Sequence, residues 1–492
     1  MESPHKERFG RLLDWAQSNG ANLHPSLEVY QDENTGFSLR VKPSASGRLE
    51  APFKAVTCPT SITLSYLNAL VDGPITLSPE VPASSTQNPA FPEAFMTSLP
   101  PHVIGRFYLI QQYLKGESSF WAPYISTLTD PSQINKWALP PFWPEEEYEL
   151  LQGTNAYIAL HEILHNVKTE YTQARKILKK AGFPEYRAYT QVLYNWAYCM
   201  FTSRSFRPSL ILSDSAKEHV GQLLPEGVKI DDFSILQPVY DIGNHSPTAK
   251  YTWNLTSEPS ACELICQDSY GPGDQVFNNY GNKTNSELLL GYGFIIDSSG
   301  QGKHNDYVHV RKRQQQAETQ DHGAEPQDFL ISRESFWNPE SQSFLNRIGN
   351  PTPNSLHLQP QFNHWDPRLI NDMVAMMASP RQLELFNALP PQRVGNESLG
   401  EELDPLVDML KATLAQKIER DFVEFCYGTP NGGREWQPKT ERQELVKRYR
   451  DGIEKVLANV LKEFEYTDDE LAEIKSSALE DEDEDEEMED RN

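Results

Sequence analysis

The feature that most limits what this chain can fold into is an interruption: strand-like sequence, a long helical stretch, then strand-like sequence again. Residues 27 to 70 hold short β-branched and apolar runs, "FSLRV" and "KAVTCPTSITLSYL", set between turn residues, with a helix expected to begin near Ser65. The passage "SPEVPASSTQNPAFPEAF" reads as a loop. From Leu99 to Ser203 the apolar spacing is helical and rich in aromatics. Residues 233 to 297 return to short strands, read as "SILQPVYDIGNHS", "ACELICQDSY", "DQVFNNYG" and "LLLGYGFII". A polar stretch, "SSGQGKHNDYVHVRKRQQQAETQDHGAEPQ", follows as a linker. Residues 365 to 475 read as helices, ending in "RQELVKRYRDGIEKVLANVLKEFE". There are no internal repeats. The order is β, inserted helices, β again, then a separate helical domain, an α+β class.

Inside the helical stretch, "YIALHEILHNVKTEY" places His161, Glu162 and His165 in the H-E-x-x-H pattern of zinc peptidases. Histidines four apart share a helix face and could grip one metal while the glutamate activates water. The surrounding residues favour a structural helix. Tyr157, Leu160, Leu164, Val167, Tyr171, Ala174 and Leu178 form one apolar stripe expected to be buried, and each histidine sits one position beyond it. No further histidine follows at metzincin spacing; the next is His219, and nothing singles out Glu185 as a third ligand. The expectation is therefore no metal.

Composition narrows the class. With 38% hydrophobic and 23% charged residues, the chain of 492 residues reads as soluble and globular. The N-terminus "MESPHKERFGRLLDWAQSNG" lacks the apolar core of a signal peptide, and no apolar run is long enough to span a bilayer. Five scattered cysteines argue against a disulfide scaffold, and the pair Cys262 and Cys266 reads as buried rather than ligating. A cytoplasmic protein, also nuclear, is expected, with the sequons at Asn254, Asn282 and Asn396 as chance matches. The net charge of −26 opposes direct nucleic-acid binding and favours a basic protein partner. The tail from Glu480 to Asp490 is nearly all acid and reads as a disordered, solubilising end or a docking segment for basic proteins.

The most specific pattern lies between Ser203 and Phe294. "SRSF" at Ser203 to Phe206 is followed by D-x-x-N-H at Asp241, Asn244 and His245, then "GDQVFNNYG" and "NSELLLGYGF". This resembles the second half of a SET domain, in the branch typified by the plant Rubisco large-subunit lysine methyltransferase. Members of that branch carry a helical insertion inside the SET domain and a helical substrate-binding domain after it. The resemblance implies a SET β-fold core with a helical insertion and an all-α C-terminal domain. The expected division is a SET domain at 1–310 with the insertion at about 96–202, a linker at 311–330, a helical substrate-binding domain at 331–475 and an acidic disordered tail at 476–492.

The resemblance also implies an activity and a site. It points to an S-adenosylmethionine-dependent protein-lysine N-methyltransferase acting on a non-histone protein, which the acidic charge makes a basic one, a ribosomal protein or translation factor first; the sequence leaves the oligomeric state open, with a monomer favoured. Tyr280 matches the catalytic tyrosine and Tyr292 the second tyrosine of the pocket. Donor-binding positions are Gly36, Phe37, Ser203, Arg204, Asp241, Asn244 and His245, with Arg204 suited by its fork to the methionine carboxylate. Phe206, Asp241, Tyr292 and Phe294 fall on the lysine pocket, where aromatic faces favour a cation. Ser38 stands where the family's donor loop usually has a second glycine. The alternatives are a SET-fold binding protein without turnover, a protein-histidine methyltransferase, which occurs in a relative of this branch, and the zinc peptidase.

Overall fold

Strand pairing ties sequence from before the helical stretch to sequence after it. The structure is a computed structural model that describes residues 4–33, 35–77, 88–257, 259–297, 305–311, 328–336, 362–389, 398–428 and 436–476. A four-stranded antiparallel sheet runs in the order Asn22–Leu23, Phe53–Pro59, Ser260–Cys266 and Tyr251–Ser257. A second orders Gln275–Val276, Gly36–Val41 and Leu27–Asp32, and a third orders Leu64–Ser65, Ile235–Leu236 and Ser205–Phe206. Each sheet combines strands from both sides of the insertion. Ser260–Cys266, paired on both edges, is buried along nearly its whole length, whereas the edge strand Tyr251–Ser257 stays partly open.

The inserted helices pack into the same core. Pro101–Lys115 starts on a proline, which suits the first helical position, and stops at Gly116, whose φ of 56° ends the turn. It lies against Gln191–Arg204, which Thr190 caps through the Leu193 amide. Phe107 and Tyr189 stack at 5.6 Å, and Trp121 Nε1 donates to the Ile62 carbonyl at 2.9 Å. The expected helix near Ser65 is present as Tyr66–Val71, with Ser65 and Asn68 forming a reciprocal capping box.

The helix Asn155–Lys180 carries the H-E-x-x-H residues. Of its apolar stripe, Leu160, Val167, Tyr171, Ala174 and Leu178 are buried, while Tyr157 and Leu164 are only partly so. His161 and His165 are exposed, and the His161 ring packs edge-on against Tyr157 at 4.4 Å. Glu185 is exposed as well. Among the described residues no group of three or more His, Cys, Asp or Glu side chains is placed to hold a metal ion.

Four local expectations need correction. "LLLGYGFII" is not a strand: Asn285–Tyr292 is a helix, closed at one end by a Thr284–Glu287 capping box and at the other by Gly293 at φ 77°. A short apolar run cannot by itself separate strand from helix, and the T-x-x-E signal preceding it decides the matter. The Pro-rich loop ends earlier than expected, because Glu93–Ser98 is helical behind Pro92. Tyr251–Ser257 is a strand that the spacing did not predict. The linker contains structure too, since Tyr307–Arg311 pairs with Asp328–Ser332, so the later part of the chain is not wholly helical. Residues 312–327 and the acidic tail from 477 lie outside the described residues.

The chain forms two compact units: residues 1–142 with 163–281, and residues 143–162 with 282–492. In the second unit Asn285 ties its neighbourhood to later residues, donating to Asp306 Oδ1 at 2.7 Å and to the Ile296 carbonyl at 3.0 Å. In the second unit, Asp404–Tyr427 and Glu441–Glu463 pack together. Buried Arg450 donates to the carbonyls of Leu150 at 3.1 Å and Phe425 at 2.9 Å. Among the described residues, no helix is long and apolar enough to cross a membrane.

Candidate active site

The D-x-x-N-H residues sit where two chain segments cross. Asn278 donates its N–H to the Asn244 carbonyl at 2.8 Å, and its own carbonyl accepts from Ser246 N–H at 2.9 Å, so 244–246 runs beside 278 as a short parallel bridge. The Asn244 side chain reaches the other way. Its Nδ2 donates to Thr35 Oγ1 at 2.9 Å and Gln275 Oε1 at 3.0 Å, tying the crossing to the hairpin tip beside Gly36. Gly36 has φ 75°, a conformation that glycine adopts without penalty, and it opens the strand carrying Phe37.

Ser38, the departure from the family's glycine, is fully buried, and its hydroxyl accepts from Asn244 N–H at 3.4 Å. The serine is thus engaged inside the fold.

Asp241 is the buried acid of the site. Its side chain is 2% exposed and accepts from Tyr124 OH at 2.8 Å, with Arg204 Nη1 at 3.5 Å. Burial pushes the carboxyl's pKa up, and Arg204 and Tyr124 oppose that rise. Burial would lower the pKa of Arg204, but Asp241, Tyr124 and Tyr280 more than offset it. Val239, two residues before Asp241, is buried with φ 71° and ψ −41°, a strained conformation for a β-branched residue.

Phe37, Arg204 and Asp241 line one cleft of about 330 Å³. Arg8 and Phe9, from the helix Pro4–Ser18, line it as well. The Phe37 ring packs on Phe9 at 4.8 Å, with the Arg8 guanidinium 5.2 Å above it. Arg8 Nε is buried with no hydrogen-bond partner among the described residues. Burial, and then Arg204, lower the pKa of Arg8. Three cations, Arg8, Lys136 and Arg204, line the cleft beside the carboxylates of Asp130 and Asp241, and the guanidinia can take up an anionic group. Sequence reading missed Arg8, because an arginine in an amphipathic terminal helix carries no motif; it also missed Tyr124.

The remaining expected residues fall outside that lining. Ser203 turns its hydroxyl back to the Cys199 carbonyl at 2.8 Å. Phe206 packs edge-on against Tyr240 at 5.3 Å and Trp253 at 6.1 Å. Tyr280 stacks on the His245 ring at 5.0 Å, and its hydroxyl donates to the Gly243 carbonyl at 3.0 Å. Tyr292 and Phe294 belong to the second unit, with ring centroids 6.2 Å apart; burial, then Glu287, raises the Tyr292 pKa to about 12.

The architecture has solved counterparts. The SET domain of LSMT, crystallised with lysine and AdoHcy, aligns over 95% of this chain and 93% of its own with a TM-score of 0.57 at 16% identity. Rubisco LSMT bound to AdoMet aligns over the same shares with a TM-score of 0.55 at 17% identity. This chain has the SET fold of the Rubisco LSMT type. The expected α+β class, with its SET core, is thereby established.

The curated sequences to which the SET-fold chain is similar are methyltransferases. It is 32% identical over 289 residues to the ribosomal lysine N-methyltransferase set10 of Schizosaccharomyces pombe, covering 58% of this chain and 45% of that protein. It is 25% identical over 320 residues to the protein-lysine N-methyltransferase EFM1 of Saccharomyces cerevisiae, covering 58% and 49%. The actin-histidine N-methyltransferase of Mus musculus is 22% identical over 303 residues, covering 61% and 44%. The chain thus spans about half the length of the curated relatives it matches. No family model matches it.

Proposed function

We propose that this SET-fold chain is an S-adenosylmethionine-dependent protein methyltransferase that acts on lysine in a basic non-histone protein, a ribosomal protein or translation factor first. The observation that carries this reading is the cleft where Phe37, Arg8, Arg204 and Asp241 meet. Its residues suit the donor: the Arg8 and Arg204 guanidinia match a carboxylate, buried Asp241 balances positive charge, and the Phe37 ring offers an apolar face. When bound, S-adenosylmethionine supplies an electrophilic methyl group on a sulfonium.

The chain's own residues then prepare the acceptor. A free lysine near pH 7 costs about 4–5 kcal/mol to deprotonate, and a desolvated aromatic channel lowers that cost. The Tyr280 hydroxyl, held in place by the ring stack with His245, orients the amine. Holding amine and methyl in line supplies much of the remaining acceleration. The lysine-pocket roles of Phe206, Tyr292 and Phe294 rest on the motif.

Lysine is favoured over histidine because set10 and EFM1, the more similar of the relatives named, are lysine methyltransferases, and because of the "SRSF" segment, with Phe206 after the arginine. The actin-histidine relatives favour the second reading. The silent-binder reading leaned on Ser38, and that side chain is occupied inside the fold. Transfer of labelled methyl from S-adenosylmethionine into a cytosolic extract tests the proposal. Label in a discrete basic protein, recovered as methyl-lysine on hydrolysis and absent with Tyr280→Phe, is the expected result. Methyl-histidine would move the assignment to the second reading, and failure to bind the donor at all would overturn both.

A further inference from the structure

A second cavity, of about 140 Å³, borders the segment that carries Arg204. Arg204 lines the donor cleft, and Ser205, the next residue, lines this other cavity. The two cavities thus border adjacent residues, at the junction where the helix Gln191–Arg204 passes into the strand Ser205–Phe206. At this size the cavity is smaller than the roughly 300–1,000 Å³ of small-molecule sites, and it suits a single side chain.

Its wall is polar and basic. His102 and Arg106 from the helix Pro101–Lys115, with Tyr66, Thr202, Ser205 and Ser234, contribute to the lining. Among the described residues no carboxylate lines it, in a chain with 70 acidic and 44 basic residues. Glu170 stands behind the wall, accepting from Arg106 Nη1 at 2.7 Å and Tyr194 OH at 2.8 Å, with His102 Nε2 at 2.9 Å. That carboxylate orients Arg106 and leaves its Nε buried with no hydrogen-bond partner among the described residues. The cationic and hydroxyl-bearing lining favours an incoming carboxylate, which the Arg106 guanidinium, His102 and the Thr202, Ser205 and Ser234 hydroxyls suit.

We propose that this cavity receives an aspartate or glutamate side chain of the client protein, at a fixed distance from the target lysine. The proposal rests on the protein-lysine methyltransferase reading and deepens it. The overall charge of −26 draws a basic client, and one acidic residue in that client then sets the register.

The test uses the full chain, immobilised with S-adenosylhomocysteine, and short peptides with a fixed central lysine and randomised flanks. A matching library has norleucine at the centre. Bound peptides are sequenced by mass spectrometry. The expected result is an enrichment of Asp or Glu of about tenfold at one offset from lysine, the factor that a charge-assisted hydrogen bond provides. Ser234→Asp puts a carboxylate of its own into the cavity and should abolish that enrichment while S-adenosylhomocysteine affinity holds; Ser234→Ala should preserve it. Lysine-dependent binding without acid preference, or a preference that survives Ser234→Asp, overturns the subsite. Equal binding of the lysine and norleucine libraries instead overturns the lysine reading, and acid preference in that case would show a cavity unrelated to the target residue, which also ends the proposal.

Discussion

Tyr280 and His245 hold each other twice: their rings stack with an interplanar angle of 16°, and the Tyr280 N–H donates to His245 Nδ1 at 3.0 Å. The tyrosine's backbone and ring are both fixed, so its hydroxyl has a defined position without depending on its own hydrogen bond. Tyr280→Phe should therefore leave the fold and donor affinity close to wild type. Methyl transfer should fall on the order of a hundredfold, the scale for removing one positioned hydroxyl. Single-turnover transfer beside calorimetric donor titration checks both halves.

Arg8 and Arg204 separate binding from stability. Arg8→Ala removes a cation whose buried Nε has no acceptor among the described residues, and it should weaken donor binding about 10- to 100-fold with little change in thermal midpoint. Arg204→Ala should weaken binding similarly and also destabilise the protein, because it leaves buried Asp241 with only Tyr124. Equal thermal midpoints for the two variants would contradict this division.

Glu463 gives the second unit a pH dependence. Burial raises its pKa to about 7, against the opposing pull of the Asn363 amide, which donates to it at 2.7 Å. The folded state then holds a proton that the unfolded chain releases near 4.5, so the contribution to stability is fully present below that value and lost as pH rises through 7. Over that window it amounts to on the order of 3 kcal/mol. Glu463→Gln should flatten the fall in thermal midpoint between pH 5 and pH 8; an unchanged profile would refute the assignment.

Gly452 and Asp306 test the packing of the same unit. A Cβ at 452 would overlap the Asp306 carboxylate, which is 4% exposed and held by Asn285. Gly452→Ala should cost about 1–3 kcal/mol, read as a lower denaturant midpoint. Gly10→Ala, with open space around it, serves as the control.

Sequence carried the layout further than the site. Helical spacing was legible between Leu99 and Ser203 because the long helices present sustained apolar faces; in Asn155–Lys180 the stripe separates buried Leu160 and Val167 from exposed His161 and His165. The same periodicity could not discriminate helix from strand in "LLLGYGF", where a run too short to show a period hid a capped helix. Arg204, Asp241 and Phe37, singled out in the sequence, line one cleft. The motif could not reveal Arg8 or Tyr124, which reach that neighbourhood only through tertiary packing of helices distant in sequence. Nor could it show that Ser38 points its hydroxyl at a backbone amide, a matter of which face of the strand is covered.

The cleft draws its wall from the helix Pro4–Ser18, from Phe37, from the helical stretch that holds Lys136 and Arg204, and last from Asp241 and Ile242. During synthesis, then, a nascent chain can have its N-terminal helix and its inserted helices in place and still have nowhere to seat the methyl donor. On the proposed function, donor capture becomes possible only after residue 278 has left the ribosome and paired beside 244–246. For this protein the metabolite would act as an inspector of finished product, rewarding chains that have completed the crossing and ignoring those that stopped short.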